Sequence, residues 1–253
     1  MTKQLATVPI FGIPFSKLSM DETVGYLTDE IEEGRLTHVI TANPIMVMEA
    51  LNNPKFANVM SKADMIVPDG SGVVWAAKVG GSPLKERVTG FDLMHRLMEQ
   101  GEKHRWSVYL LGTSQEIIEA AAEKLQLQYP QAKIVGCRNG FFGPGDDEAI
   151  IEEIRNKKPH LLFVARGMEK EDWNAEYKER LGVPFIMGVG GSFDVISGKL
   201  KRAPIAFQKL KLEWLYRLLQ EPSRYKRMLA LPKFVVKVLR NKENVTKPRP
   251  EAQ

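Results

Sequence analysis

The sequence predicts an α/β protein: a mostly parallel sheet with helices on both faces, followed by a basic, amphipathic helical appendage. Three observations carry this. Short Val/Ile/Leu-rich runs alternate with segments that have helix-start signals. Polar or glycine-rich turns follow the apolar runs, where strand passes into helix. Charge is also divided along the chain, acidic in the body and basic near the end.

The apolar runs fall at 37–41, 65–67, 107–111, 133–135, 160–164 and 184–187. Between them, Ser19 and Glu22 have capping-box spacing for a helix to about Glu33, which Gly34 ends. Asn43-Pro44 places a capping side chain before a first-turn proline, predicting a helix to about Asn52. Thr113 and Glu116 suggest another capping box, for a helix to about Tyr129. Segments 146–156 and 169–181 also read as helices. The expected organisation is a body over 1–198, an appendage over 199–240 and a frayed tail over 241–253.

Composition limits the function classes. Of 253 residues, 43% are hydrophobic and 26% charged, the balance of an ordinary globular protein rather than a disordered or collagenous one. The single cysteine, Cys137, cannot form an internal disulfide, and no Cys/His spacing suits zinc. A reducing, intracellular setting fits. No apolar run approaches the roughly 18 residues of a membrane helix, and residues 1–10 lack a signal peptide's order. The expectation is a cytoplasmic protein.

The net charge of +5 conceals a division. Residues 199–240 hold twelve basic side chains against Glu213 and Glu221, a net +10, whereas residues 1–198 carry −6. Such a segment suits an anionic partner: a membrane surface, a phosphorylated lipid or a nucleic acid. A merely solubilising tail is the alternative, although this one is also rich in Trp, Tyr, Phe and Leu.

The turns point to a ligand. Thr41-Ala42-Asn43-Pro44, Pro68-Asp69-Gly70-Ser71-Gly72, Leu111-Gly112-Thr113-Ser114 and Gly188-Val189-Gly190-Gly191-Ser192-Phe193-Asp194 each follow an apolar run. There glycine admits a ligand to the backbone and helix N-termini offer unpaired N–H groups. Together they suggest a phosphate-bearing ligand, a nucleotide. NAD is disfavoured, because Trp75 stands where the dinucleotide fingerprint needs glycine or alanine. A P-loop lysine signature is also missing. Asp69, at the end of an apolar run, reads equally as a general base or as a helix cap. Asp146-Asp147-Glu148 reads as a helix cap, and no Asp-x-Asp pair offers a metal site. Positive side chains or helix dipoles would then neutralise a diphosphate.

Specific blocks fall between Thr41 and Pro222, within a pattern that runs from about Val8 to Arg240. They are Thr41-Ala-Asn-Pro44, Ala63-Asp-Met-Ile-Val-Pro-Asp-Gly70, Glu86-Arg-Val-Thr-Gly-Phe-Asp-Leu93, Gly188-Val-Gly-Gly-Ser-Phe-Asp194, Lys201-Arg-Ala-Pro204 and Leu212-Glu-Trp-Leu-Tyr-Arg-Leu-Leu-Gln-Glu-Pro222. On these the chain resembles the WecG/TagA/CpsF family, glycosyltransferase family 26. The resemblance implies a Rossmann-like fold and a UDP-dependent hexosyltransferase that inverts at the anomeric carbon without a metal. It implies transfer of N-acetylmannosamine from a UDP donor to the 4-hydroxyl of N-acetylglucosamine on undecaprenyl diphosphate, as in the teichoic acid linkage unit.

By position, the resemblance makes Asp69 the base, with Thr41 and Asn43 beside it and Arg87 near the donor diphosphate. Gly112, Gly190, Gly191 and Asp194 belong to nucleotide-binding turns. Arg217, Arg224 and Arg227 match arginines of an appendage that closes over the site at the membrane. One block departs from the family pattern, Arg166-Gly-Met-Glu-Lys-Glu-Asp-Trp173. Met168 replaces a proline, Glu169 a lysine, and Lys170 a substrate-facing glutamine, exchanging an amide for a point charge. Ile45, where relatives often have Glu, is a smaller departure.

The implied partners are a UDP-sugar, the lipid-linked acceptor and the anionic inner face of the cell membrane, with no nucleic acid and no cofactor. Self-association is left open. The alternatives are the same chemistry with UDP-N-acetylmannosaminuronic acid, to which Lys170 could add a basic group, and a catalytically silent, membrane-docked nucleotide-binding scaffold. In the tail, Phe207, Leu210, Trp214 and Leu218 would share one helical face, Pro222 would break the helix, and Leu231, Phe234, Val235 and Val238 would form a second apolar stripe. Both are expected to meet the membrane; packing of these helices onto the core is the alternative.

Overall fold

The computed structural model describes residues 5–167 and 170–247. It opens with an antiparallel hairpin, β1 (Thr7–Ile10) and β2 (Ile13–Ser16). Then follow α1 (Met20–Glu32), β3 (Thr37–Ala42), α2 (Pro44–Asn52), α3 (Pro54–Ser61), β4 (Met65–Pro68), α4 (Ser71–Val79) and α5 (Gly90–His104). Next come β5 (Ser107–Gly112), α6 (Gln115–Gln128), β6 (Lys133–Arg138), α7 (Asp147–Lys157), β7 (Leu161–Ala165), α8 (Lys170–Leu181), β8 (Phe185–Gly188) and α9 (Ser192–Ser197). The C-terminal segment holds α10 (Ile205–Lys209), α11 (Glu213–Gln220), a 3-10 turn at Pro222–Arg224, α12 (Tyr225–Met228) and α13 (Ala230–Arg240).

All six apolar runs become strands of one parallel sheet, in the order β4-β3-β8-β7-β5-β6. Both faces are covered. In β5, Val108 and Leu110 pack towards α1, α5, α6 and α9, while Tyr109 and Leu111 face α7 and α8. On that second face, α2, α3, α4, α13 and the hairpin form a further apolar cluster. The helix after β3 therefore covers one face, and the helix after the adjacent β8 covers the other. The helices after β5 and β7 also leave to opposite faces. Each divergence opens a crevice at the carboxyl ends of the strands.

Several expectations are corrected. The hairpin was not anticipated; Phe11 and Gly12, at φ 49° and 84°, make its two-residue turn. Thr113 does not cap α6: it sits at φ 52°, and Ser114 takes the N-cap position without a side-chain cap bond. The Ser19–Glu22 box and the Asn43 cap do form. Asp146 precedes α7 without capping it; its carboxylate accepts from the Gly143 N–H. Asp147 is buried, accepting from Trp173 Nε1 at 2.9 Å and the Tyr177 hydroxyl at 3.1 Å. Helix α8 begins at Lys170; Met168 and Glu169 lie outside the described residues.

The C-terminal segment also differs. Lys211, at φ 61°, separates α10 from α11, so Phe207, Leu210, Trp214 and Leu218 do not share one continuous helix. In α13, Phe234 and Val238 are fully buried against α2, α4 and the hairpin, the Phe234 ring meeting Phe11 edge-on. Half of the second stripe thus faces the core. Residues 241–247 run back against the hairpin and α4. Val245 is buried, its carbonyl accepts the Phe11 N–H, and the Thr246 hydroxyl donates to the Gly80 carbonyl at 2.6 Å. Residues 248–253 lie outside the described residues.

Candidate active site

The strand-end turns and the C-terminal segment enclose two cavities, and Asp69 borders both. The first, about 470 Å³, is lined by Thr41, Asn43, Thr113, Lys170, Gly190, Gly191, Asp194, Arg217, Arg224 and Arg227, among others. The second, about 640 Å³, is mostly apolar, with Trp214, Met228, Leu231, Pro232, Phe234 and Val235 in its wall.

Asp69 follows β4, and its N–H donates to the Ala42 carbonyl at 3.0 Å, which holds it at the sheet edge. Gly70, not Asp69, is the N-cap of α4. The helix-cap reading of Asp69 thus falls away for its own helix. Its half-buried carboxylate instead accepts the N–H of Gly90, the first residue of α5. Desolvation pushes its pKa from 3.8 up to about 6; Arg87 and the Gly90 N–H oppose the rise, and Glu213 and Asp92 assist it. A carboxylate titrating there is suited to accept a proton near neutral pH.

Thr41 donates to the Gly188 carbonyl at 3.3 Å, tying the ends of β3 and β8 together. A Cβ on Gly90 would crowd the Thr41 side chain. The Asn43 Oδ1 caps α2, accepting from Ile45 N at 3.0 Å and Met46 N at 3.2 Å, so only its NH₂ can serve a ligand. A Cβ on Gly70 would collide with the Pro44 ring, so this site's two turns are packed against each other.

Gly190, at φ 54°, turns the chain after β8. A Cβ on Gly191 would collide with the Arg217 guanidinium, which lies across this backbone. Arg217 Nη2 is buried and has no hydrogen-bond partner, although its Nε lies 3.4 Å from Glu221. Burial, and then neighbouring Arg224, lower the Arg217 pKa. A desolvated guanidinium with an unpaired N–H is prepared for an anionic oxygen. Arg224 pairs with Glu221 at 2.8 Å, and Arg227 borders both cavities. Asp194 faces the first cavity, with the Lys199 ammonium 3.7 Å away.

Two sequence-named residues stand outside the lining of the first cavity. Arg87 borders the second cavity, not the first, and its guanidinium is taken by Glu213 of α11. Gly112 lines neither cavity. At φ 136° its missing side chain makes room for the Ala165 carbonyl, and Thr113 reaches the cavity instead. Lys170 is buried, donating to the Gly167 carbonyl at 3.1 Å and pairing with Glu171 at 3.1 Å. Glu171 in turn meets His38 Nε2 at 3.2 Å. Gly188 leaves the space that this pair occupies. Lys170 is therefore a charge-compensated donor at the cavity wall, not an isolated cation. Sequence reading missed Glu213, Glu171 and His38. Among the described residues there is no group of three or more His, Cys, Asp or Glu that could hold a metal, and no helix long and apolar enough to cross a membrane.

A carboxylate at a strand end, glycine turns and arginines line one polar cavity, the arrangement expected of a group-transfer site for a phosphate-bearing donor. The chain belongs to the glycosyl transferase WecG/TagA/CpsF family, whose model matches residues 8–248. It is 34% identical over 246 residues to the N-acetylglucosaminyldiphosphoundecaprenol N-acetyl-beta-D-mannosaminyltransferase of Bacillus spizizenii strain W23, covering 96% of this chain and 95% of that one. It is 32% identical to the proteins of the same name from Bacillus subtilis strain 168, over 98% and 97% of the two chains, and Staphylococcus aureus strain MW2, over 96% of each.

Proposed function

We propose that this chain transfers N-acetylmannosamine from its UDP conjugate to N-acetylglucosamine on undecaprenyl diphosphate, with inversion. The near-complete match to relatives of that name supports the substrate pair. The observation that carries the mechanism is Asp69, a carboxylate poised near neutrality on the wall between a polar and an apolar cavity. The donor occupies the polar cavity, its diphosphate at the α9 N-terminus and the unpaired Arg217 N–H. The acceptor enters from the apolar side. Asp69 takes the proton from the acceptor 4-hydroxyl as that oxygen attacks the anomeric carbon, and the C1–O bond to UDP breaks. The leaving diphosphate is met by Arg217 and by Arg224 and Arg227. Chemistry then needs no metal.

The acceptor is a lipid, and the C-terminal segment suits a membrane surface. Apart from Leu127 and Phe141, every large hydrophobic residue that is exposed among the described residues lies between Ile205 and Leu239. These include Ile205, Leu210, Leu219, Tyr225 and Leu229, interleaved with the exposed Lys209, Lys211, Lys226 and Lys233. Apolar side chains beside lysines and arginines suit the anionic inner leaflet. The test is transfer of labelled sugar to a short-chain lipid-diphosphate acceptor, with UDP-N-acetylmannosamine and its uronic acid compared. Turnover with the first donor is expected. Turnover with the uronate alone, or UDP binding with no transfer from either donor, would overturn the assignment.

A further inference from the structure

Arg87 stands between the base and the C-terminal segment. Glu213 accepts hydrogen bonds from both terminal nitrogens, Nη1 to Oε2 and Nη2 to Oε1, the latter at 3.2 Å. Both side chains are about three-quarters buried, 25% and 29% exposed, and they come together from positions 126 apart in sequence. Paired carboxylate–guanidinium forks of this kind fix orientation as well as charge.

The surroundings explain why that fixing matters. The groups with direct electrostatic influence on Asp69 are Arg87 in the loop before α5, Asp92 on α5 and Glu213 on α11. Around the two cavities stand Lys211, Arg217, Arg224 and Arg227 from the C-terminal segment, and Lys170, Asp194, Lys201 and Arg202 on the donor side. A half-buried carboxylate among so many cations would ordinarily be captured by one of them and lose its affinity for a proton. Here four of the cations are held by other acids: Arg87 by Glu213, Arg202 by Asp92 at 2.5 Å, Arg224 by Glu221 at 2.8 Å and Lys170 by Glu171 at 3.1 Å.

We propose that Glu213 is a positioning residue for the base: its two-point grip on Arg87 keeps that cation from closing on Asp69 and latches α11 across the site. The proposal rests on Asp69 being the base. It makes Arg87 a strut rather than the counter-ion of the donor diphosphate, and it gives the C-terminal segment a part in basicity as well as enclosure. Removing the Glu213 charge would turn Arg87 towards Asp69 and weaken the base.

The pH profile of kcat/KM tests this on the full chain. Glu213→Gln keeps the size and removes the charge. Its acidic limb is expected to move down, on the order of half a unit to one unit, with a lower plateau rate. Glu213→Asp should return the limb towards the parent position. A second readout needs no turnover. If Arg87 captures Asp69, neutralising Asp69 relieves less strain, so the gain in Tm from Asp69→Asn at pH 8 should shrink in a Glu213→Gln background. A rate that falls equally at every pH with the limb in place, or a Tm gain unchanged by Glu213→Gln, would overturn the proposal and leave Glu213 a structural latch. Turnover that survives Asp69→Asn would instead sink the assignment of the base, so the two failures are told apart.

Discussion

Asp69→Asn tests catalysis and folding together, and the two respond in opposite directions. The amide keeps the shape of the carboxylate, and its oxygen can still accept the Gly90 N–H, but it cannot take a proton. General-base catalysis of this kind contributes about 10²–10⁴-fold, so kcat should fall by about 10²-fold or more while UDP binding persists. The parent kcat/KM should rise with pH through a limb near 6, the pH at which the Asp69 carboxyl loses its proton in the fold. Stability moves the other way. A pKa raised from 3.8 to about 6 means that ionised Asp69 disfavours the folded state, by at most about 3 kcal/mol. Below pH 3.8 both states are protonated and this cost is absent. It grows between pH 3.8 and 6, where only the unfolded chain ionises, and it is complete above pH 6. Asparagine carries no such cost. The Tm of the variant should match the parent near pH 4 and exceed it at pH 8, by up to about 6 °C or somewhat more for a chain of this size. Thermal melts from pH 4 to 8, paired with the transfer assay, read both. A Tm difference that is flat across that range, or a kcat within tenfold of the parent, would refute the reasoning.

Other perturbations probe the remaining parts. Activity is expected to survive excess EDTA; a complete loss restored by Mg²⁺ or Mn²⁺ would show that the arginines do not suffice for the leaving diphosphate. Gly191→Ala should displace the Arg217 guanidinium and lower kcat/KM at least tenfold with little change in Tm, read by steady-state kinetics and melting. Leu210→Ser with Leu219→Ser, both about two-thirds exposed, should weaken sedimentation with anionic liposomes and leave the Tm within a degree or two. Phe234→Ala, by contrast, should cost about 3–5 kcal/mol, because its ring is buried against α2, α4 and the hairpin, measured by denaturant unfolding.

The contrast between Leu210 and Phe234 marks where sequence reading stops. Periodicity reports that a helix has an apolar face but not what covers it. Phe234 and Val238 therefore read equally as lipid-facing or core-facing, and only the docking of α13 against α2 decides. Five of the six strands were legible because each run is continuous and both faces of a parallel sheet are buried. The sixth, β6, lies at an edge of the sheet and is only partly buried, and it shows in the sequence as the short run 133–135. The hairpin had a signal, the alternation of Val8, Ile10, Ile13 and Phe15 about Phe11-Gly12, but its four-residue strands offer few periods.

The site divides on the same principle. Thr41, Asn43, Asp69, Gly190 and Asp194 were visible because a parallel sheet delivers the ends of successive strands to one edge, so local chemistry maps onto a shared place. The polar partnerships had no such rule. Glu213 meets Arg87 across 126 positions and His38 meets Glu171 across 133, and nothing local to either residue predicts its partner. The resemblance put Arg87 near the donor diphosphate, and the exchange of glutamine for Lys170 read as an extra positive charge; neither reading includes the acid that holds the cation. Sequence counts a cation as available until the fold assigns it an acid. Here the fold gives Arg87, Lys170, Arg202 and Arg224 carboxylate partners and leaves Arg217 with an N–H buried and unpaired over the Gly191 backbone. The +10 charge of residues 199–240 already counts Glu213 and Glu221, and Arg202 and Lys199 are further met by Asp92 and Asp194 of the body. The diphosphate should therefore depend most on Arg217, whose Nη2 stays unpaired although Glu221 meets its Nε.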